Sequence, residues 1–419
     1  MRTIILSLTL LLIVAGSVWA AEPLTLSEAV ATAVKKHPQV VEARENIAGA
    51  AARTGQALAN YYPQINLAAD WTKGRTFLTA LEAIRETETH TDAFYLKQNI
   101  YDFGKTAGTV ESAEWNQAAA GQTLIITRQD IAFRVKAAFY LLLAAGKQVA
   151  ATEETVVARE AVFRQAQEFF NQGVRAKVDV ARAEANLYAS KTLLIRARNN
   201  LKLAQVELAN AMGMPALEDR PLVEPPNTSI TVPEQSRVQQ EALANRAELK
   251  RFQALTNSAA AALKTARSGY LPTISGTAGV GYADKDFPPS GDIWAVGLNL
   301  TVPLFSGFST VEQEKEAAAS LRAVAAQQNN QILQTTKEVE SAWLGVKEAT
   351  ARIASTDKEL TAARENQMLA MGRYQEGVGH IIEVTDAQSQ ALDAKTAHIQ
   401  AVYDYYTTLA RLDRAVGKE

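Results

Sequence analysis

The residue types that could support catalysis are present in this sequence, but their spacing matches no motif that would use them. Gly104-Lys105-Thr106 looks like the end of a phosphate-binding loop, yet the glycine required five positions before Gly104 is Asn99. No GxSxG or HExxH sequence occurs. The histidines are too scattered for a ligand set and are expected on the surface: His37, His90, His380 and His398. We therefore predict no enzyme, no metal site and no cofactor.

Two carboxylates form the remaining arrangement with a chemical consequence. Glu383 and Asp386 are three residues apart, which places both on one face of the helix predicted there. One interpretation is a solvated acidic helix start, favoured by the helix dipole. The other is a functional acidic site, whose role would depend on where the surrounding elements place the two carboxylates. The matching positions in the first half of the chain are Asp179 and Arg182.

Composition and the N-terminal segment predict an exported chain. Residues 1–20 read as a signal peptide, because Arg2 precedes the apolar segment 4–14 and small residues predict cleavage after Ala20. A retained anchor is the alternative, and no later segment predicts a transmembrane helix. The absence of cysteine excludes disulfides and a lipidated cysteine. A formal net charge of −2 gives no support for a nucleic-acid partner.

The distribution of proline divides the chain into long helical stretches and a linker. No proline occurs between Pro63 and Pro215 or after Pro303. Such stretches suit long helices, because a proline inside a helix costs about 3 kcal/mol. Residues 213–233 contain five of the 12 prolines, which predicts an extended linker.

The sequence repeats itself across this linker. Pro63 aligns with Pro272 at an offset of 209, whereas Gly173 aligns with Gly377 at an offset of 204. We expect the five-residue difference, which falls between Pro63 and Tyr101, to lie in a surface loop. The predicted divisions are a first structural repeat at 21–212, a Pro-rich linker at 213–233 and a second repeat at 234–419.

Each repeat contains two stretches of strict apolar–polar alternation, which predicts strands with one apolar face. Their length of about ten residues also suits barrel strands that cross a bilayer. Ordinary amphipathic hairpins on a soluble core are the alternative, but Trp71 and Trp294 on the apolar faces are consistent with a membrane-interface belt. Four strands cannot close a barrel, so several chains are needed, and three would supply twelve. The predicted strands are residues 64–72, 94–101, 273–282 and 294–302.

Two long helices are predicted at residues 105–171 and 309–375, each about 100 Å long at ~1.5 Å per residue. Both end at a glycine turn, from which a second helix returns at about 178–212 and 381–416. Shorter helices at about 26–60 and 234–268 lead into the strands. A repeated apolar seam predicts coiled-coil-like packing. In the second repeat the seam is Val339, Ala342, Val346, Ala349, Ile353, Thr356 and Leu360.

Over essentially the whole mature chain, the sequence resembles the TolC-like outer-membrane efflux and secretion proteins. The resemblance rests on YYPQINL and YLPTISG, on QNIYDFG and VPLFSGF, and on the turns FFNQGVRAKVDVARAEANLY and RYQEGVGHIIEVTDAQ. It implies a mainly α fold with a small β part. Three copies of the chain would form an α-helical barrel joined to a twelve-stranded transmembrane β-barrel. The sequence departs from the family at Arg246-Ala247, where Arg-Pro is common, and at Glu383, where Asp is usual.

The resemblance also implies a function. The chain would be the passive exit duct of a tripartite efflux pump or type I secretion system, lying in the outer membrane and extending into the periplasm. The implied partners are two further copies of the chain, outer-membrane lipid, a periplasmic adaptor and an inner-membrane pump. The alternative is an exported periplasmic coiled-coil scaffold or adaptor that spans no membrane, for which the four strands would not be needed.

Roles for individual residues follow from the same resemblance. Glu383 and Asp386, together with Asp179, would line the periplasmic constriction, where acidic rings attract cations. Tyr374 matches a position that helps to hold the closed state, although simple packing at a helix end would also explain a tyrosine there. The tips would meet the adaptor, and ordinary turn chemistry would also explain their glycines. The tip residues are Gly173, Val174, Gly377 and Val378.

Overall fold

A computed structural model describes residues 22–78, 82–218, 220–226 and 232–419, so the predicted signal peptide lies outside the described residues. The described chain is mainly helical with one small sheet, which confirms the predicted fold class for a single chain. Both halves follow the same order of elements. They are α1 Leu26–Lys36, α2 Pro38–Leu58, β1 Gln64–Leu78, β2 Ala83–Tyr101, α3 Lys105–Asn171 and α4 Lys177–Ala211, then α5 Gln235–Asn245, α6 Ala247–Arg267, β3 Thr273–Asp284, β4 Gly291–Thr301, α7 Ser309–Gln375 and α8 Ile381–Val416.

The described residues form two compact units. One comprises residues 22–33, 135–226 and 358–403, and contains both glycine turns; we call it the turn unit. The other comprises residues 34–134, 232–357 and 404–419, and contains the strands; we call it the sheet unit. The predicted repeats and the linker at 213–233 were defined by internal sequence similarity, whereas these units are defined by compactness. The division into repeats therefore stays a prediction.

The long helices α3 and α7 begin and end where the proline-free stretches predicted them, with 67 residues each. The seam of the second repeat is buried within the sheet unit. There Val339, Ala342 and Val346 of α7 pack in one core cluster with apolar residues of α5 and α8. The indole of Trp343 donates a hydrogen bond to the carbonyl of Pro233 at 2.8 Å. The periodic apolar side chains therefore form the helix–helix core that the pattern indicated.

The single helices predicted at 26–60 and 234–268 are wrong, because each is broken in two. His37 and Arg246 have extended backbones, with φ, ψ of −60°, 133° and −63°, 123°. In the first repeat Pro38 accounts for the break, since proline suits the first position of a helix and disfavours helical geometry in the residue before it. His37 is a buried N-cap rather than a surface residue, and its Nδ1 accepts the N–H of Gln39 at 3.2 Å.

In the second repeat a buried ion cluster is present at the corresponding break, where there is no proline. The Arg246 guanidinium, 4% exposed, donates to both carboxylate oxygens of Glu248 at 3.0 and 3.2 Å. It also lies 2.5 Å from Glu338 of α7. Arg414 of α8 donates to Glu248 at 2.5 Å and to Asp130 of α3 at 2.6 Å. The cluster thus joins four helices around the extended residue.

The four strands form one antiparallel sheet in the order β1-β2-β3-β4. The expected surface loop of five extra residues is wrong, because β1 and β2 stay paired as far as Leu78↔Ala83 and the extra length extends this hairpin. Pairing of β2 with β3 ends at His90↔Asp284, so the outer part of the first hairpin continues as a two-stranded ribbon. Lys73 pairs with Glu88 at 3.0 Å across this ribbon, and Phe77 lies opposite Ile84 nearer its end, so the ribbon carries both charged and apolar side chains.

Candidate functional site: an exposed apolar sheet face and two glycine turns

One face of the sheet carries large apolar side chains that are open on the single chain. Residues directly opposite each other on neighbouring strands share a face, so the register defines rows across the sheet. In one row all four side chains are more than half exposed: Leu67, Phe94, Val280 and Trp294. The next row is Ile65, Leu96, Ala278 and Val296. This confirms the alternation predicted for the strands.

The opposite face is polar and small. One of its rows is Gln64, Lys97, Thr277 and Gly297, and another is Asn66, Tyr95, Gly279 and Ala295. Asn299 donates to the hydroxyl of Thr277 at 3.4 Å on this face. The sheet is therefore apolar on one side and hydrophilic on the other, and on the single chain the apolar side is open, like the polar one.

Aromatic side chains border the apolar rows at both ends. The Trp294 row is followed outward by a mixed row of Ala69, Asp92, Tyr282 and Asp292, while Trp71 lies further out, opposite His90. The six residue steps from Trp294 to Leu300 cover about 20 Å at ~3.3 Å per step. Sequence reasoning missed the aromatics at the other border, although they flank the strand ends in YYP, IYDFG and LFSGF. These exposed residues are Tyr62, Tyr101, Phe305 and Phe308.

The two predicted tips are glycine turns with the same backbone. At the end of α3 the N–H of Gly173 bonds to the carbonyl of Phe170 at 2.9 Å, and the N–H of Val174 bonds to that of Phe169 at 2.9 Å. Gly377 and Val378 repeat this pattern at the end of α7. Both glycines have positive φ, 72° and 75°, as this helix ending requires. The valines that follow are 59% and 69% exposed, so each turn presents one apolar side chain.

Arg175, which sequence reasoning missed, ties the two turns together. Its guanidinium donates to the carbonyls of Gly377 at 2.8 Å and Gly379 at 2.6 Å. Gly379 is the residue 204 positions after Arg175, so the tie runs only from the first repeat to the second. A side chain at Gly379 would lie 3.0 Å from the backbone of Tyr374, which explains the glycine by close packing. The offset of 204 between the repeats aligns Arg175 with Gly379, and this alignment was the sequence signal that could have revealed the pair.

Tyr374 lies in the core of the turn unit. It is fully buried in a cluster with Val162, Ala166 and residues of α8, and its ring meets Phe169 edge-on at 5.7 Å. Its hydroxyl has no hydrogen-bond partner among the described residues. Burial raises the pKa of this hydroxyl, the Asp179 carboxylate raises it further, and the Arg175 guanidinium opposes them. The structure thus brings Tyr374 and Asp179 together, while a role in a closed state stays a prediction.

The predicted acidic pair lies at the start of α8 and is exposed. Glu383 is paired with Arg373 of α7 at 3.6 Å, whereas Asp386 has no ion pair among the described residues. Val384 and Ala387, on the opposite side of the same helix turn, are buried in the turn-unit core. The core therefore holds the two carboxylates on a solvent-facing surface. Their role as a constriction stays a prediction.

Comparison with known proteins identifies the family. Residues 29–214 and 238–418 match the family model described as outer membrane efflux protein. The chain belongs to this family. Outer membrane efflux protein BepC of Brucella suis biovar 1 (strain 1330) is 24% identical over 404 residues, which cover 94% of this chain and 85% of BepC. Outer membrane protein TolC of Escherichia coli (strain K12) is 24% identical over 387 residues, covering 87% and 76%.

A solved structure shows the same fold. The outer membrane protein VceC of Vibrio cholerae superposes with a TM-score of 0.80 at 21% identity, covering 94% of this chain and 96% of VceC. The resemblance to TolC-like proteins is thereby confirmed, together with the outer membrane as location and efflux transport as the class of function. The periplasmic scaffold is not favoured.

None of the helices in the described residues has both the length and the apolar character that a membrane crossing needs. Nor does any group of three or more His, Asp or Glu side chains in residues 22–78, 82–218, 220–226 and 232–419 come together in a way that could hold a metal ion.

Proposed function

We propose that three copies of this outer membrane efflux protein form the passive exit duct of a tripartite efflux pump or type I secretion system. The observation that supports this most is the exposed apolar sheet face in a chain of this family. In water, such a continuous apolar surface would be costly, at about 25 cal/mol per Å². In a bilayer the same rows of side chains face lipid, and the polar face lines the interior of a barrel.

The number of chains follows from the sheet edges. Strands β1 and β4 are the edges of the four-stranded sheet, and their outer N–H and C=O groups need partners in lipid. A neighbouring copy can supply them by pairing its β1 with β4. Three copies give twelve strands, and the aromatic borders, including Trp71 and Trp294, would lie at the two membrane surfaces.

We further propose that the two turns are the surface that a periplasmic adaptor contacts, with an inner-membrane pump beyond it. Val174 and Val378 are presented by the same backbone geometry, so three copies would offer six similar apolar contacts. An adaptor with a repeated helical-hairpin tip could engage both. The Arg175 tie supports this role, because it holds the two contacts at a fixed spacing.

Photo-crosslinking in cells tests the proposal. A photoreactive residue at Val378 is expected to capture a periplasmic adaptor, because this side chain is exposed at the turn. The same residue at Val384, which is buried, serves as the matched control and should capture nothing. Heat-modifiable migration in the outer-membrane fraction would accompany the capture. Adaptor capture without outer-membrane retention would instead support the periplasmic scaffold.

Replacement of both carboxylates tests the constriction. Glu383→Ala with Asp386→Ala should lower the cation selectivity of the reconstituted pore, because an acidic ring attracts cations and repels anions. Reversal potentials across a planar bilayer in a KCl gradient measure this. An unchanged potential in a conducting pore would contradict the assignment and favour the simpler role of a dipole-stabilised helix start.

A further inference from the structure

We propose that Arg373 compensates the charge of Glu383, so that Asp386 is the principal determinant of cation preference at the constriction. The inference rests on the proposed function, since it requires a pore. It makes Arg373 a specificity-determining residue although it carries the opposite charge to the ring. The family pattern of two acidic positions would then overstate the charge that permeating ions meet in this chain.

The geometry of the second turn holds Arg373 beside Glu383. The Nε of Arg373 lies 3.6 Å from the Glu383 carboxylate. The backbone carbonyl of Arg373 accepts the N–H groups of Val378 and Gly379 at 3.1 and 2.8 Å. A Cβ added at Gly379 would lie 3.0 Å from the Cβ of Arg373, so the turn is packed against this residue. These contacts fix the backbone and Cβ of Arg373 beside the start of α8, while the guanidinium and the Glu383 carboxylate, 60% and 42% exposed, meet at the surface.

Helix polarity supports the same placement. Arg373 is in the last turn of α7, where the helix dipole favours a cation. Glu383 is in the first turn of α8, where it favours an anion. Each charge is therefore stabilised at its own helix end, independently of the other. Both side chains keep solvent access, so the pair remains next to any ion that passes.

The first turn carries Arg175 and Lys177 but has no cation at the position that matches Arg373. The residue 204 positions before Arg373 is Phe169, and the residue 204 before Glu383 is Asp179. Phe169 packs against the Tyr374 ring and supplies no positive charge. The residue matching Asp386 in the first repeat is Arg182, which is itself basic. Asp386, without an ion pair among the described residues, is thus the carboxylate of the second repeat that is open to cations.

Reversal potentials of the full-length protein in planar bilayers with a KCl gradient test the inference. Arg373→Gln is expected to raise the K⁺/Cl⁻ permeability ratio on the order of twofold, because one net negative charge is added per copy. Arg373→Lys, which keeps the charge, should behave as the unchanged protein. Arg364→Gln, also exposed on α7, is the matched control and should have a smaller effect.

The decisive comparison is with the double variant. Arg373→Gln with Glu383→Gln should keep the permeability ratio of the unchanged protein, because it removes one charge of each sign, whereas adding Asp386→Asn to it should abolish the cation preference. A double variant that loses its cation preference while Asp386 is intact would overturn the inference while leaving the pore intact. If the unchanged protein forms no conducting pore, the proposed function itself fails, and the inference with it.

Discussion

Glu248→Gln is expected to destabilise the sheet unit by about 3 kcal/mol at pH 7. The substitution removes the carboxylate that Arg246 and Arg414 share, which leaves each of them with one acidic partner, Glu338 and Asp130. Arg246 is only 4% exposed, and breaking a buried ion pair by removing one partner is costly. Thermal unfolding in detergent, followed by circular dichroism, measures the loss. Glu241→Gln is a matched control, because Glu241 also pairs with two basic residues, Arg237 and Lys418, but near the surface. Its cost should be within about 1 kcal/mol.

The same cluster predicts a pH dependence. Burial raises the pKa of Glu248, but the hydrogen bonds and charges of Arg246 and Arg414 outweigh it and hold the pKa at about 2. Because the folded-state pKa lies below its usual value of 4.5, the stabilisation is fully present above that value and is lost as the pH falls towards 2. Glu248→Gln should remove this part of the acid sensitivity. Identical acid dependence in both proteins would contradict the assignment.

Val296→Arg is expected to prevent stable insertion into the outer membrane. Val296 is 77% exposed on the apolar face of β4, and a basic residue near the middle of a membrane costs about 2–4 kcal/mol per chain. Three copies in one barrel would add this cost three times. The amount of heat-modifiable protein in the outer-membrane fraction measures the effect.

Asn299→Arg is the matched control for this experiment. Asn299 lies on the same strand but on the polar face, beside Thr277, where an arginine would meet water. Insertion should therefore be kept. Equal insertion of the Val296 and Asn299 variants would show that the apolar face does not contact lipid, and it would leave the exposed rows to be covered by protein instead.

The helices could be predicted from the sequence to the extent that their determinants are local. The proline-free stretches and the repeated seam fixed α3 and α7, and Gly173 and Gly377 marked their ends. The break at Arg246 could not be predicted, because its partners Glu338 and Arg414 are distant in sequence and only the fold brings them together. His37-Pro38 contained a local signal for the other break, since the residue before proline disfavours a helix.

Prediction of the strands and of the candidate site was likewise limited to features that have a local sequence signal. The first hairpin was predicted too short because its outer part has no apolar periodicity, and cross-strand pairs such as Lys73 with Glu88 lie there instead. The glycine turns were predicted from their sequence, whereas Arg175 and Arg373 were not. Both act through contacts between turn segments, which a single helical pattern does not contain.

The two-stranded ribbon beyond His90 and Asp284 affects which part of the protein can be reached from outside the cell. In the proposed barrel, with the apolar rows in the membrane, the ribbon would project outward beyond them, and the described part of the second repeat has no counterpart because β3 ends at Asp284. Antibodies and bacteriophages that approach an intact cell would therefore contact mainly the first repeat. The two halves share one order of elements, yet in the proposed barrel the first would supply most of the surface that is accessible from outside the cell.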